Sequence, residues 1–258
     1  MIAGVRVTSL TKTYGKILAL SDVSFEVTQG SIYGLIGPNG AGKTTSMAIL
    51  AGLIQATSGS AWILGMEVQP GRGDLVSKIG FYSPQFPFLD YLTGMELLLA
   101  CGLMHGLSPK EAKSRTRDLL ELLDLESAAG LYLSQYSQGM RQKIGLACAL
   151  IHAPVVLLMD EPFSGLDPTS VWRLSCCFRQ IKSRGGTIVV SSHALALVER
   201  LCGRVGILHR GILKREIELA ANGEPRAQDG SKANPESDLE SVLWETIGRP
   251  EMKTVSWL

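Results

Sequence analysis

Two glycine-containing turns and one acidic pair hold the residues of this 258-residue chain whose types and spacing could do chemistry. The first turn, residues 37–45, reads Gly-Pro-Asn-Gly-Ala-Gly-Lys-Thr-Thr and has the spacing G-x-x-x-x-G-K-[ST] between a strand pattern and a helix pattern. Its glycines let successive backbone N–H groups point at phosphate oxygens, and the following helix adds the partial positive charge of its N-terminus. The turn therefore predicts a site for nucleotide phosphates.

Within this turn, Lys43 should reach the β- and γ-phosphates, and the Thr44 hydroxyl should be a ligand of Mg²⁺. The motif by itself does not separate kinases, GTPases, helicases and transport ATPases. We expect the following residues to contact the nucleotide: Gly37, Asn39, Gly40, Ala41, Gly42, Lys43, Thr44 and Thr45.

The acidic pair follows an uninterrupted apolar run at residues 155–159, which is typical of a parallel strand covered on both faces. In open α/β sheets, ligands lie at the carboxyl ends of the strands. Asp160 is therefore predicted to hold Mg²⁺, and Glu161 to orient or deprotonate the water that attacks the γ-phosphate. Taken alone, a solvated acidic turn would explain the pair equally well, but the upstream glycine turn favours nucleotide hydrolysis.

The second glycine-containing turn is Ser137-Gln138-Gly139, which precedes a helical run at residues 140–150. A serine hydroxyl and a glycine N–H at the start of a helix can form a second phosphate site. A chain that binds one nucleotide needs only one such site. The economical interpretation is that this turn serves the nucleotide of a partner chain.

Together these features strongly resemble the ATPase subunits of ABC transporters, over about residues 5–215. The family signature reads LSGGQ, and residues 136–140 match it. Gln138 replaces the first signature glycine and Met140 replaces the glutamine, whereas Ser137 and Gly139 are kept. The resemblance implies ATP as the nucleotide, Mg²⁺ as its metal, and a second nucleotide-binding subunit, identical or not, that encloses ATP between two chains.

Four further positions match the family in order and spacing. The resemblance implies that Tyr14 stacks on adenine, that Gln85 senses Mg²⁺ and the γ-phosphate, and that His193 contacts the γ-phosphate. Asp167, in Ser-Gly-Leu-Asp, would lie in the loop that crosses the dimer interface. Alone, Tyr14 would more often be a packed strand aromatic and His193 a loop or core histidine. Their order favours the functional interpretation.

The resemblance also implies an α/β fold, with a RecA-like P-loop NTPase core, an N-terminal antiparallel β-subdomain and an inserted helical subdomain. The core would comprise residues 1–84 and 155–215 and the helical subdomain residues 85–154, so that residues 1–215 form an ABC nucleotide-binding domain. Residues 216–258 would be a linker and a C-terminal amphipathic helix.

Local patterns add detail to this fold. We predict short strands over residues 5–36, a helix from Gly42 to Leu53, and a helix that starts at Ser108-Pro109. Residues 221–237 are polar and rich in Gly and Pro, as in a linker. The sequence Ser-x-x-Glu at 237–240 could be a capping box. The apolar face of the last helix would comprise Leu239, Val242, Leu243 and Ile247.

The charge and the hydropathy of the chain bear on two questions, whether it binds nucleic acid and whether it spans a membrane. Lys plus Arg number 25 against 24 for Asp plus Glu, and a net charge of +1 gives no electrostatic reason to expect a nucleic acid. The uncharged run at residues 144–159 is interrupted by His152-Ala-Pro and is shorter than the roughly 20 apolar residues of a membrane span. We therefore expect a soluble chain that works as a peripheral subunit at the cytoplasmic face of the membrane.

Transport across the membrane would then be carried out by a transmembrane subunit. A signature that ends in Met140 and continues with basic residues resembles the ATPases of ABC-2-type exporters, so that an ABC-2-type transmembrane subunit is the expected partner. The resemblance implies coupling through Gln85 and the apolar segment at residues 86–89, although ordinary packing of a subdomain hinge would also explain that segment.

Two other classes stay open. A soluble ABC ATPase of DNA repair or translation usually carries two such units or long coiled-coil insertions, and this sequence contains neither. A catalytically weak ATP-binding partner in a heterodimeric transporter is compatible with Gln138, whereas Glu161 and His193 favour hydrolysis.

Overall fold

The computed structural model describes residues 3–85, 89–219 and 239–249. The strands are β1 (Ala3–Tyr14), β2 (Ile17–Thr28), β3 (Ile32–Ile36), β4 (Ser58–Ile63), β5 (Met66–Glu67), β6 (Ile79–Tyr82), β7 (Val156–Asp160), β8 (Thr187–Ser192), β9 (Arg204–His209) and β10 (Ile212–Glu218). The helices are α1 (Lys43–Leu50), α2 (Gly73–Val76), α3 (Gly94–Met104), α4 (Pro109–Leu122), α5 (Gln138–Leu150), α6 (Pro168–Ser183), α7 (Leu195–Leu201) and α8 (Leu239–Ile247).

A six-stranded sheet of order β10-β9-β3-β8-β7-β6 forms the centre of the fold. Its strands are parallel except for β10, which forms an antiparallel hairpin with β9. Every residue of β3, β7 and β8 is buried, as expected of central parallel strands. The strand register pairs Asp160 with Ser191 and Ile36 with Ser192, so that the carboxyl ends of β3, β8 and β7 meet at one edge.

The N-terminal sheet is antiparallel and has the order β2-β1-β4-β5. The prediction of short strands in this region was wrong about their length, because β1 and β2 each run for 12 residues. Shifts of register between them, including one between Val7 and Leu10, interrupt the alternation of apolar and polar residues. A single long strand with irregular pairing therefore resembles several short ones in sequence.

Helices α3, α4 and α5 form a helical unit with an apolar core of its own, which includes Leu98, Leu123 and Ile144. Ser108 caps α4: its hydroxyl accepts a hydrogen bond from the Glu111 N–H, and the Glu111 carboxylate accepts one from the Ser108 N–H. The predicted helix start at Ser108 is thus confirmed. The α/β fold with a P-loop NTPase core is confirmed as well.

Helix α1 ends earlier than predicted, at Leu50 rather than Leu53. Gly52 adopts a φ of 70°, a left-handed conformation that ends helices and favours glycine. Its N–H donates to the Ile49 carbonyl at 2.9 Å in the closing turn.

Helix α8 packs on the central core through Leu239, Val242 and Leu243, which are all buried, and Ile247 is half-buried beside them. The predicted apolar face is therefore confirmed. Burying a side chain of this size contributes about 1.5–3 kcal/mol before ordering costs. The predicted linker at 221–237 and Ser237 lie outside the described residues. Within the described ranges, no helix combines the length and the apolar character needed to cross a bilayer.

Candidate active site

The loop between β3 and α1 is held close to neighbouring backbone by its glycines. Gly37 has a φ of 151°, and a Cβ atom there would collide with the Leu208 carbonyl oxygen. Gly42 has a φ of 108°, and a Cβ atom would lie 2.6 Å from Cδ2 of Leu20. Only glycine fits both positions, and the loop can curl tightly enough to present its N–H groups on one side.

Lys43, the first residue of α1, is only 7% exposed. Its Nζ donates to the carbonyl oxygens of Gly37 at 2.7 Å and Pro38 at 3.2 Å. A buried ammonium group needs such partners, since an unpaired charge away from water is costly. The Lys43 side chain therefore folds back onto the backbone of its own loop.

A cavity of about 270 Å³ opens against this loop. Residues 39–45 and Glu161 line it, together with residues 17–19 at the start of β2. The contribution of residues 17–19 was not predicted. One signal was available in the sequence, an apolar Ile17-Leu18 pair next to a turn, and both side chains are exposed in the structure. The cavity thus brings together seven of the predicted loop residues and one of the predicted carboxylates.

Asp160 ends β7 and is only 2% exposed. Its Oδ1 accepts a hydrogen bond from the Ser191 hydroxyl at 2.5 Å, and its Oδ2 accepts one from the Ser83 hydroxyl at 3.4 Å. Strand β8 and the residue directly after β6 therefore supply one hydroxyl group each to this carboxylate. Hydrogen bonding of this kind lets a charged carboxylate remain buried.

Glu161 follows directly and joins the acidic pair to the phosphate loop. Its Oε2 lies 2.8 Å from Nδ1 of His193, and its Oε1 lies 3.6 Å from Nζ of Lys43. The His193 backbone N–H also donates to Oε2, at 3.3 Å. The structure thus brings together Lys43, Glu161 and His193, three residues whose sequence positions span 150 residues.

Two predicted residues lie apart from this group. Tyr14 ends β1 and is 47% exposed, with Nζ of Lys12 lying 4.9 Å from its ring centroid. Gln85 is exposed and lies in the turn at residues 84–85, shortly after β6. Neither of them lines the cavity.

The second turn starts α5. The Ser137 hydroxyl accepts a hydrogen bond from the Met140 N–H at 3.2 Å and so caps the helix. Ser137 and Gln138 are exposed, while Met140 packs against the core of the helical unit. Residues 137–139 are absent from the lining of the cavity. This turn therefore does not contribute to the cavity at the chain's own phosphate loop.

Helix α5 is fixed instead to the loop that contains Asp167. Nζ of Lys143 lies 3.2 Å from Oδ2 of Asp167, and the Gln142 side-chain amide donates to the Pro162 carbonyl at 3.0 Å. The pKa of Asp167 is lowered from its usual value, first by hydrogen bonds from the Ser170 hydroxyl and N–H and then by Lys143. The carboxylate is thereby kept ionised as the N-cap of α6.

The parallel sheet, the glycine loop at the carboxyl end of β3 and the acidic pair at the end of β7 define a phosphate-loop nucleotide-binding protein. The family model described as "ABC transporter" matches residues 20–164. That match extends over more than half of the chain, which belongs to the ABC transporter family. Members of this family bind and hydrolyse ATP.

Curated relatives agree with this assignment. The chain is 39% identical to an uncharacterized ABC transporter ATP-binding protein of Synechocystis, over 91% of this chain and 64% of the relative. It is 37% identical to the bacitracin transport ATP-binding protein BcrA of Bacillus licheniformis, over 83% of this chain and 69% of the relative. The chain thus spans about two thirds of the length of these relatives.

Solved structures agree as well. An ATP-binding subunit of an ABC transporter superposes with a TM-score of 0.78 at 32% identity, covering 85% of this chain and 90% of the other. A dimeric, post-hydrolysis structure of the ATP-binding cassette MJ0796, bound to ADP and Pi, superposes with a TM-score of 0.75 at 27% identity, covering 84% and 99%.

Proposed function

We propose that this chain is the ATP-hydrolysing subunit of a transporter and that it drives transport by a transmembrane partner through ATP-dependent closure of a dimer. One observation carries the proposal: the Glu161 carboxylate contacts both His193 and Lys43. A base beside a γ-phosphate must be held close to that phosphate and oriented by a second group. The contact of Glu161 with Lys43 supports the first requirement, and its contact with His193 supports the second.

Mg²⁺ would be held by Thr44, Asp160 and Gln85. A hydroxyl, a carboxylate and a side-chain amide are the hard oxygen donors that Mg²⁺ prefers, so the donor set fits this ion. When bound, Mg²⁺ supplies positive charge that offsets the charge of the phosphates. The hydroxyls of Ser191 and Ser83 keep the Asp160 carboxylate in place at the end of β7.

The chain's own residues then have separate roles in binding ATP and in activating water. Lys43 exchanges its backbone carbonyl partners for phosphate oxygens, and the loop N–H groups bind the remaining phosphate oxygens. Glu161 accepts a proton from the attacking water, and His193 holds that carboxylate at 2.8 Å. Tyr14, half-exposed at the end of β1, stacks on the adenine ring.

The proposed second subunit completes the site. Ser137, Gln138 and Gly139 start α5 with free N–H groups but do not line this chain's cavity, and Asp167 is tied to the same helix. We propose that these residues contact ATP held by the phosphate loop of another subunit. The dimeric ADP-bound neighbour supports this arrangement.

An ABC-2-type exporter subunit is the proposed membrane partner, supported by the relatives named for bacitracin transport and linearmycin resistance. The surface formed by residues 89–95 and Tyr132, which follows residues 86–88 in sequence, supports a docking role, because four large apolar side chains are exposed on it despite the cost of exposing them. These are Leu89, Tyr91, Met95 and Tyr132, and an isolated β-bridge between Thr93 and Tyr132 connects the two segments that carry them.

Substitution Glu161→Gln tests the proposal. Removing the general base should lower ATP turnover about 10²- to 10⁴-fold. The variant should still bind ATP, since the amide keeps the size of the side chain, and it should accumulate as an ATP-bound dimer in gel filtration. Glu245→Gln, on the exposed side of α8, is the matched control and should turn over normally. Normal steady-state hydrolysis by Glu161→Gln would contradict the role of Glu161.

A further inference from the structure

A single buried hydroxyl, that of Ser191, contacts both members of the acidic pair. Ser191 lies in β8, is fully buried, and stands opposite Asp160 in the strand register. Its Oγ donates to Oδ1 of Asp160 at 2.5 Å. The Glu161 N–H in turn donates to the same Oγ at 3.0 Å.

The backbone of Ser191 adds a third contact. Its carbonyl oxygen accepts from the Glu161 N–H at 3.1 Å, so that this N–H is shared between the carbonyl and the hydroxyl of one residue. Glu161 has a φ of 48°, a left-handed conformation that residues other than glycine rarely adopt. Such a conformation persists only where its surroundings fix it. Ser191 supplies that fixation.

The chemistry of a hydroxyl makes this position restrictive. A serine hydroxyl has one proton to donate and two lone pairs that accept. Because the Glu161 N–H occupies a lone pair, the proton is directed to Asp160, and the orientation of one acidic residue depends on that of the other. A methyl group at this position could make neither hydrogen bond.

The contact from the other side of Asp160 is weaker. The Ser83 hydroxyl lies 3.4 Å from Oδ2 of Asp160, a longer and weaker contact than the 2.5 Å bond from Ser191. The short bond, the complete burial and the double contact therefore single out Ser191. His193 lies two residues after Ser191, just beyond β8, and holds the Glu161 side chain. Ser191 and His193 together therefore fix the backbone and the carboxylate of Glu161.

We propose that Ser191 is a positioning residue: its hydroxyl sets the Asp160 carboxylate for metal binding and holds Glu161 in reach of His193 and Lys43. This inference rests on the proposed function. Residues that orient a metal ligand typically change metal affinity or activity by about 10- to 100-fold when they are removed. Ser191 acts through the acidic pair and needs no contact with ATP.

Substitution Ser191→Ala is the first test, with Mn²⁺ as the probe. Titration of Mn²⁺ by electron paramagnetic resonance, in the presence of ATP, should show an affinity about 10- to 100-fold lower than in the wild type. ATP affinity measured in EDTA should be unchanged. Ser191→Thr keeps the hydroxyl and should restore Mn²⁺ affinity and turnover, whereas Ser191→Cys keeps the shape with a weaker donor and should not.

Ser175→Ala is the matched control, because Ser175 is also buried and its hydroxyl donates to the Val171 carbonyl at 2.7 Å, within α6. It should keep Mn²⁺ affinity. Wild-type Mn²⁺ affinity in Ser191→Ala or Ser191→Cys would overturn the proposal, and so would failure of Ser191→Thr to restore binding in a folded protein. Failure of the proposed function is distinguishable, because the wild type itself would then not turn over ATP.

Discussion

The two phosphate-directed turns of this molecule differ in what completes them. The turn at residues 37–45 is completed by its own chain: Lys43 is buried and bonded, and Glu161 and His193 lie within reach. In the turn at residues 137–139, Ser137 and Gln138 are exposed, and Gly139 lies beside the carbonyl of Gly165 in the loop before α6. The difference teaches that two turns with similar local chemistry can have different surroundings, and under the proposed function the second turn is half of a site.

The second turn is nevertheless well ordered. Ser137 caps α5, and Lys143 and Gln142 fix the helix to residues 162–167. Helix N-termini favour anions, so under the proposed function this turn would bind a phosphate that the same chain does not hold. A second subunit is the source that the proposed function requires.

Breaking the exposed turn should have the largest effect. Gly139→Asp places a carboxylate where a partner's phosphate would bind, and its Cβ has room, since the nearest atom is the Gly165 carbonyl oxygen at 3.6 Å. Loss of such anion-stabilising groups typically lowers turnover about 10²- to 10³-fold. ATP affinity of the dilute chain should be unchanged by equilibrium dialysis.

Gly139→Ala is the control for that substitution and should retain most of the turnover. The acidic side chain also lies in the first turn of α5, where a negative charge favours the helix, so the variant should keep its melting temperature. A parallel loss of ATP affinity in Gly139→Asp would mean that the turn belongs to the chain's own site.

Breaking the internally completed turn should change affinity instead. Lys43→Ala removes a charged hydrogen-bonding group, typically worth about 1.5–3 kcal/mol, so the Kd for ATP should rise about 10- to 100-fold. Equilibrium dialysis with radiolabelled ATP measures the change. Lys113→Ala, on the exposed face of α4, is the comparison and should leave affinity unchanged. Unchanged affinity in Lys43→Ala would contradict the assignment of the phosphate loop.

A smaller effect is expected at the adenine end of the same site. Tyr14→Ala removes the aromatic ring that is proposed to stack on the base, and stacking of this kind contributes about 0.5–1.5 kcal/mol, or roughly 2- to 10-fold in Kd. Tyr14→Phe retains the ring and should bind ATP as the wild type does. Equal affinity of Tyr14→Ala and Tyr14→Phe for ATP would show that Tyr14 does not contribute to the site.

An effect on stability, and not on turnover or affinity, is expected at the turn that joins the two regions. His152 follows α5 and precedes β7; its Nε2 lies 3.0 Å from the Ile79 carbonyl, and its ring stacks on His105 with centroids 3.7 Å apart. Burial, and then the neighbouring His105, lower the pKa of His152 from 6.5 to about 4. The unfolded chain thus binds this proton more tightly than the folded one does.

Stability from His152 should therefore be fully present above pH 6.5 and should decline as the pH falls towards about 4. Discounted for the partial exposure of the ring, the loss should be on the order of 2 kcal/mol. Urea unfolding of the wild type and of His152→Gln at pH 7 and pH 4.5 measures it, and the variant should lose less. An equal loss in both proteins would show that His152 does not contribute.

Sequence reasoning succeeded where spacing along the chain dictates geometry. The phosphate loop and its following helix, the buried strand before Asp160 and the cap at Ser108 all depend on neighbours within a few residues. It failed where strands distant in sequence meet. Residues 17–19, at the start of β2, line the cavity, and Ser191 contacts Asp160 because the register of β7 and β8 pairs them. No local sequence pattern encodes either contact.

The central claim is that each ATP site is shared between two chains, and mixing two variants tests it most directly. At an ATP concentration near the wild-type Kd, Lys43→Ala binds little ATP and Gly139→Asp turns it over slowly, so each should be nearly inactive alone. In an equimolar mixture, half of the dimers are mixed and each keeps one intact site, so ATP turnover should return to about a quarter of the wild-type rate. A mixture as inactive as its components would contradict the claim, because both turns would then have to act within one chain.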